Sequence, residues 1–257
     1  MIITPLYSLA GVLVGLLVGL TGVGGGSLMT PLLVLAFGFH PATAVGTDLL
    51  YASATKSVGT VVHGWRGTVD WRVVARLAAG SVPATIVTII ALHYAAEKQD
   101  MGQAISAILG VTLVLSAVAT VFRMRIVGSL TRLFGKIGTA RLAWLTVLLG
   151  VVLGVLVSIT SVGAGALGMT ALLILYPSLP INRLVGSDIA HAVPLTLLGG
   201  FGHWLLGSVN GTLLFSLLLG SIPGIIVGSL IASRISDRIL SPILAAVLAI
   251  VGLRLLF

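Results

Sequence analysis

The sequence predicts an all-α polytopic membrane protein with two similar halves, about eight transmembrane helices and two short re-entrant segments. Three observations lead to this prediction. The chain is 58% hydrophobic and only 8% charged, with a mean hydropathy of +1.20, whereas a soluble domain carries about 25% charged residues. The sequence matches itself at a shift of 140 residues, which carries Asp48 onto Asp188. A glycine-rich break interrupts the first apolar run of each half.

Charge and cysteine content narrow the function classes. The net charge of +8 and the isoelectric point near 10.9 would also fit a nucleic-acid-binding protein. Here the basic residues lie between apolar runs, as the positive-inside rule requires, so no nucleic acid is expected as a partner. The absence of cysteine excludes disulfides and thiolate metal sites, and no cofactor or metal is expected. The first apolar segment lacks the basic start and cleavage site of a signal peptide, so we expect it to remain in the fold.

The internal match involves polar residues that composition alone would not align. Apolar residues coincide by chance in any membrane protein, but paired aspartates, histidines and prolines in one register do not. The sequence therefore predicts a tandem duplication, with an N-terminal repeat at 1–122, a basic linker at 123–141 and a C-terminal repeat at 142–257. The matching pairs include Thr30 with Thr170, Asp48 with Asp188, Gly59 with Gly199, His63 with His203, and Pro83 with Pro223.

The first half begins with an apolar run that is broken at Thr21–Ser27, where four glycines in five residues leave the backbone free to turn. In hydrocarbon, irregular backbone is tolerated only where it is buried in protein or lines a wet cavity. Pro41 ends the next piece, because proline disfavours helix in the residue before it. The connection 63–72, with Trp65 and Trp71, has a membrane-interface composition. The expected helices are Leu6–Leu20, Leu28–Phe37, Ala44–Val62, Val73–Tyr94 and Ile105–Val121.

The second half follows the same plan after the basic linker, with its own break at Val162–Ala166. We expect this break to serve the same purpose as the first, since it occupies the corresponding place in the repeat. The expected helices are Leu142–Thr160, Leu167–Tyr176, Leu184–Leu206, Leu213–Ala232 and Ile239–Phe257.

The topology depends on whether each break reverses the chain. The two pieces around the first break total about 30 residues, or about 45 Å of helix, against a hydrocarbon core of about 30 Å. Re-entrant hairpins would also leave only Lys98 and Arg254 on the side opposite the other basic residues, as the positive-inside rule favours. Each half then crosses an odd number of times. The halves are therefore expected to be inverted, with a cytoplasmic linker and both termini outside.

The motifs also resemble those of a known family. The segment Gly22–Gly26 with Thr30 and Pro31, and then Thr47 and the stretch 63–72, resemble the signatures of the TauE/SafE sulfite-exporter family. The resemblance covers essentially the whole chain and implies a two-half transporter in the cell inner membrane, moving sulfite, sulfonates or related small organic anions. Family members usually have Asn or Ser after the threonine of the second signature. This chain has Asp48 and Asp188, which bears on the coupling ion and on the substrate charge.

The glycine breaks are the expected substrate site. Helix N-termini carry about half a positive charge and bind anions, although small residues also serve close helix packing in membranes. Lys56 lies in the middle of a helix, where it either pairs with a carboxylate such as Asp48 or faces the anion. The candidate substrate-binding residues are Gly24, Gly25, Gly26, Ser27, Thr30, Thr47, Lys56, Gly163, Gly165, Thr170 and Ser187.

Five further residues are candidates for coupling transport to protons or cations. Asp48 and Asp188 are either interfacial helix caps or buried carboxylates that couple to an ion. His63 and His203 end matched helices, where they either anchor the interface or relay protons. His191 lies three residues after Asp188, on the same helix face.

The sequence thus favours a secondary transporter, an exporter of small anions, that works by alternating access. An anion channel stays open as an alternative. An intramembrane enzyme is also conceivable, since Ser27, His63 and Asp48 have the residue types of a triad, but duplication serves alternating access better than catalysis. No G-x-x-x-x-G-K-[ST] motif is present, so ATP-driven pumping by this chain is not expected. The expected partners are the lipid bilayer and a small anion, and a homodimer is left open.

Overall fold

The computed structural model describes residues 5–21, 26–96, 101–134, 138–231 and 237–257. All the secondary structure in these ranges is helical, as predicted. The first half contains α1 (Pro5–Thr21), α2 (Gly26–Leu35), α3 (Pro41–Trp65), α4 (Trp71–Ala96) and α5 (Gly102–Val121), and α6 (Arg123–Phe134) lies in the linker. The second half contains α7 (Thr139–Thr160), α8 (Met169–Leu175), α9 (Ile181–Leu205), α10 (Gly211–Ile231) and α11 (Asp237–Leu256), and a π-helical turn at Ala164–Gly168 leads into α8.

Five of these helices, α4, α5, α7, α9 and α10, are long and apolar enough to cross a membrane. The chain is therefore a helical, multi-pass membrane protein. Helix α3 has 25 residues, which is long enough to cross, but Asp48, Lys56 and His63 lower its hydropathy. The total of eight transmembrane helices stays a prediction.

Helix α6 was not predicted. The sequence interpretation treated 123–141 as a connection because of its arginines, but residues 123–134 form a helix. The reason is the spacing of its apolar residues, since Ile126 and Leu130 are four residues apart and lie on one face of the helix. Helix α6 packs against α8 and α5.

The chain folds back on itself at both breaks. Tyr7, in the first turn of α1, packs edge-on against Phe37, just beyond α2, with ring centroids 5.1 Å apart. In the second half the hydroxyl oxygens of Thr146, near the start of α7, and Tyr176, just beyond α8, are 2.8 Å apart. Since the residues before and after each break meet, α1–α2 and α7–α8 form two hairpins. We refer to them as the first hairpin and the second hairpin.

Helices α3 and α9 form an antiparallel pair at the centre of the structure. The Asp70 amide, after the end of α3, donates to the Ser187 hydroxyl near the start of α9 at 2.8 Å. The Asn210 amide, after the end of α9, donates to the Thr47 hydroxyl near the start of α3 at 3.1 Å. A Cβ on Gly46 would lie 2.3 Å from a neighbouring carbonyl oxygen, so this close approach requires glycine.

The outer helices pack across the two halves. Helix α1 lies against α10, α4 against α7, and α5 against α11. Glycines make the closest approaches possible, since a Cβ on Gly220 would lie 1.8 Å from the Ser8 carbonyl oxygen and one on Gly80 would lie 2.0 Å from that of Val147. Each half is therefore incomplete without the other.

The bundle has two faces. The linker face carries α6, the end of α3 and the starts of α4, α7 and α9. The terminal face carries the starts of α1 and α3 and the ends of α9 and α11. Arg66, Arg72, Arg141 and Arg183 are exposed at the linker face, so the charge distribution matches the one expected for re-entrant breaks.

Candidate functional site

A cluster of polar side chains lies between α3 and α9. It consists of Asp48, Tyr51 and Lys56 on α3, Ser161 at the second break, and Asp188 and His191 on α9, and we refer to it as the central cluster. Five of its members are buried, with Asp48 and His191 at 0% exposure and Asp188 at 7%, while Lys56 is half-buried. Charged groups at such depth are expensive, so they are kept where they serve a function.

Asp48 lies between the two hairpins. The Thr30 hydroxyl, on α2 of the first hairpin, donates to Asp48 Oδ2 at 2.5 Å. Ser161, at the break of the second hairpin, lies beside the same carboxylate, although its hydroxyl makes no hydrogen bond of normal geometry within the described residues. The sequence interpretation chose Thr30 and Asp48 but did not include Ser161 among the site residues.

Asp188 lies directly against the second break. A Cβ on Gly168 would lie 3.0 Å from Asp188 Oδ1, so a side chain at this position would press against the carboxylate. The backbone is unusual here, since Ser161 has φ +60° and Gly163 has φ +121°. The Gly163 carbonyl accepts the amides of Leu167 and Gly168, which forms the π-helical turn. Gly163 and Gly165 were predicted site residues, and Gly168 was missed.

Lys56 lies near both carboxylates. Its charge interacts with Asp188 across the helix pair and, more weakly, with Asp48 on its own helix. The sequence interpretation had considered Asp48 as the partner, because both residues lie on α3. Arg123, at the start of α6, also interacts with Asp188. Two cations and two carboxylates therefore influence one another at this point.

His191 and Tyr51 occupy equivalent places on α9 and α3. His191 Nε2 lies 2.9 Å from the Ser81 hydroxyl on α4, and the Tyr51 hydroxyl lies near Ser221 on α10. The 140-residue shift carries Tyr51 onto His191 and Ser81 onto Ser221. This shift is the signal that could have identified Tyr51 as a site residue. The sequence analysis does not include Tyr51, because a single tyrosine in an apolar helix is common.

Several predicted site residues lie away from the central cluster. Thr47 and Ser187 use their hydroxyls to join the two halves, and the Thr170 hydroxyl donates to the Ala166 carbonyl in the preceding π-helical turn. Gly24 and Gly25 lie outside the described residues. Gly26 and Ser27 are the first residues of α2, and the Ser27 side chain also lies outside the described part.

The two matched histidines have different surroundings. His63 is half-buried at the linker face, where its Nδ1 lies 2.8 Å from the Thr68 hydroxyl. His203 is buried and donates from Nε2 to the Ser158 carbonyl at 2.9 Å. His203 also lines a cavity of about 330 Å³ at the terminal face, together with His93 and Ser208.

A larger groove of about 500 Å³ lies between α1, α2 and α11. Its lining is apolar throughout, with residues such as Leu9, Leu13, Leu28 and Val251. An anion would gain no polar contact there, whereas a lipid chain would fit. The central cluster is therefore the better candidate site.

Comparisons with known proteins show which family and which relatives the chain resembles. The family model described as "Sulfite exporter TauE/SafE" matches residues 7–255. Among curated proteins, the chain is 40% identical over 213 residues to "Probable membrane transporter protein YjnA" of Bacillus subtilis (strain 168), covering 82% of this chain and 83% of that protein. It is 26% identical over 214 residues to "Probable membrane transporter protein YdhB" of the same organism, covering 80% and 81%. No solved structure gives a significant match.

Proposed function

Because the chain belongs to the TauE/SafE sulfite-exporter family and is thus a membrane transporter, we propose that it is a secondary exporter of small sulfur-containing or organic anions. Sulfite, sulfonates and sulfoacetate are the intended class. The observation that carries this proposal is the central cluster, where the half-buried Lys56 and several buried hydroxyl groups lie between the two halves beside the break of the second hairpin.

The proposed mechanism is alternating access between inverted repeats. Its support is the antiparallel packing of α3 and α9, whose bounds differ by 140 residues at both ends. Helix α1 corresponds to α7, and α4 corresponds to α10, in the two halves. The pair α1–α10 and the pair α7–α4 are therefore related by the same two-fold symmetry. Inverted repeats around a site near the bilayer midplane are a common transporter plan, because the two repeats can exchange conformations and open the site to either face.

The proposed orientation places the linker face in the cytoplasm and the terminal face outside. Arg66, Arg72, Arg141 and Arg183 support it, since cytoplasmic connections carry an excess of basic residues. A bacterial cell inner membrane is the proposed location.

Proton coupling is proposed for Asp188. Its Oδ1 is buried with no hydrogen-bond donor among the described residues, so protonation would remove a negative charge that no hydrogen bond to this oxygen stabilises. Lys56 and Arg123 are the cations that face it. A bound anion that draws Lys56 towards itself would weaken the interaction between Lys56 and Asp188 and favour proton uptake by that carboxylate.

Counterflow in proteoliposomes tests the transporter proposal. Purified protein is reconstituted in vesicles loaded with unlabelled sulfite or sulfoacetate, and uptake of the labelled anion is measured. A carrier is accelerated by the internal anion, whereas a channel is not. We expect acceleration in the wild type and in Arg72→Gln, which changes an exposed arginine, and loss of it in Lys56→Gln. Equal uptake into loaded and empty vesicles would favour the channel.

A further inference from the structure

An apolar groove runs along the first hairpin. It lies between α1, α2 and α11, has a volume of about 500 Å³ and is lined by apolar side chains. On its α1 wall, Leu9 and Leu13 are each 56% exposed. From Leu6, near the terminal face, to Leu17 this wall is about 16 Å long, which is half of a hydrocarbon core of about 30 Å. The groove therefore has the depth of one membrane leaflet.

The corresponding place in the second half is packed. A Cβ on Gly110 of α5 or on Gly252 of α11 would lie 2.9 Å from the carbonyl oxygen of the other glycine, and this reciprocal contact marks them as equivalent positions. Val247 on the groove wall and Ile105 on α5 each lie five residues before these glycines. Val247 is 41% exposed, whereas Ile105 is 2% exposed and packs in a core cluster with Leu153 of α7. Helix packing in the second half thus takes the place of the groove in the first.

An arginine lies at the terminal end of the groove. Val247 and Val251 line the groove from α11. Arg254 follows Val251 by three residues, so it lies on the same side of the helix and about 4.5 Å nearer the terminal face. Arg254 is exposed, and every other arginine among the described residues lies towards the linker face. An apolar groove one leaflet deep therefore ends beside a cation at the level of the lipid headgroups.

We propose that the groove binds one phospholipid with an anionic headgroup, whose acyl chain lies between the first hairpin and α11 and whose phosphate contacts Arg254. A guanidinium group forms paired hydrogen bonds with phosphate oxygens. An acyl chain matches the apolar lining and the depth of the groove. A transmembrane helix of a second copy is about 10 Å across, and a stretch as long as the groove would take roughly twice its volume, so a helix fits less well.

A lipid bound in this way is expected to stabilise the fold. Its chain fills a space that helix packing fills in the second half, and a ligand that binds only the folded protein raises the Tm. Phosphatidylglycerol carries one negative charge more than phosphatidylcholine with the same chains. We expect phosphatidylglycerol to bind about fivefold more tightly, which is the usual contribution of one basic residue at an anionic membrane surface.

Native mass spectrometry of the purified protein in detergent tests the proposal, with dioleoyl phosphatidylglycerol and dioleoyl phosphatidylcholine as the two titrants. We expect the wild type to retain one phosphatidylglycerol per chain and to show the fivefold preference. Arg254→Gln should bind the two lipids equally, whereas Arg72→Gln, which changes an exposed arginine at the linker face, should keep the preference. Leu13→Trp fills the groove and should lose both lipids. Leu148→Trp on α7 is the matched control, since Leu148 is 57% exposed and lies outside the groove.

Three results would overturn the proposal. Equal binding of the two lipids by the wild type, or an unchanged preference in Arg254→Gln, would show that the groove holds bulk lipid only. Retention of phosphatidylglycerol by Leu13→Trp would place the bound lipid elsewhere. Conversion of a dimer into a monomer by Leu13→Trp would show that a second copy covers the groove. The comparison of the two lipids in the wild type needs neither a variant nor a transport substrate, so it is independent of the transport proposal.

Discussion

The hydroxyl groups of Tyr176 and Thr146 lie 2.8 Å apart although 30 residues and a complete chain reversal separate them. The Tyr176 hydroxyl also accepts a hydrogen bond from Arg76 on α4 at 3.2 Å. These contacts fasten the end of the second hairpin to two neighbouring helices. The break itself therefore stays at a fixed depth, beside Asp188.

The first prediction concerns this attachment. Tyr176→Phe removes the shared hydroxyl and leaves Thr146 and Arg76 without this partner, which should lower the free energy of unfolding by about 1–3 kcal/mol. The measurement is the Tm of the purified protein in detergent. Tyr94→Phe is the matched control, since Tyr94 is 62% exposed. Equal Tm values for the two variants would show that the Tyr176 hydroxyl does not hold the hairpin.

The second prediction concerns the room that Gly168 leaves for Asp188. Gly168→Ala would place a methyl group 3.0 Å from Asp188 Oδ1 and 3.2 Å from Leu153, so the carboxylate must move. We expect anion transport to fall at least tenfold while the protein remains in the membrane. Gly64→Ala is the control, because nothing lies within 4 Å of the added methyl group. Normal flux in Gly168→Ala would exclude a functional role for the present position of Asp188.

The third prediction concerns the hydrogen bonds between the halves. Thr47→Ala and Ser187→Ala each remove the side-chain acceptor of a backbone amide from the other half, at a cost of about 1 kcal/mol each. The two sites lie at opposite ends of the α3–α9 pair, so their effects on Tm should add. Thr47→Ser keeps the hydroxyl and should be close to wild type. A Thr47→Ser variant as unstable as Thr47→Ala would assign the effect to the methyl group instead.

The fourth prediction concerns orientation. Alkaline phosphatase is active only outside the cytoplasm, so a fusion after Phe257 should be active and a fusion after Gly138 inactive. A fluorescent protein that folds only in the cytoplasm should give the opposite pattern at the two sites. Activity at Gly138 without activity at Phe257 would reverse the proposed orientation.

The chain reversals could be predicted because they follow from length and charge. The apolar pieces around Thr21–Ser27 are too long for one crossing, and the basic residues sort to one side only if the chain turns back. The contacts of Tyr7 with Phe37 and of Thr146 with Tyr176 agree with this prediction. Helix α6 could not be predicted in this way, because its arginines indicate a connection although its apolar residues have the spacing of a helix.

The central cluster could be predicted only in part. Asp48, Lys56, Asp188 and His191 stand out as polar residues in apolar helices, so composition was enough to find them. The contacts among these residues depend on how α3 aligns with α9. The spacing of residues along one helix does not determine that alignment. For this reason Lys56 was considered with Asp48, whereas it interacts more strongly with Asp188.

The crossed hydrogen bonds at the ends of α3 and α9 have a consequence for how the protein is made. Thr47 is synthesised long before Asn210, and Asp70 is synthesised long before Ser187. Neither hydrogen bond can form until the second partner has been made. During that interval Asp48 and Lys56 lack the helix that packs against them in the finished fold. Because charged groups are costly in lipid, we expect α3 to need protection from lipid until α9 has been synthesised. Ribosomal stalling shortly before residue 181 would expose that intermediate to membrane proteases.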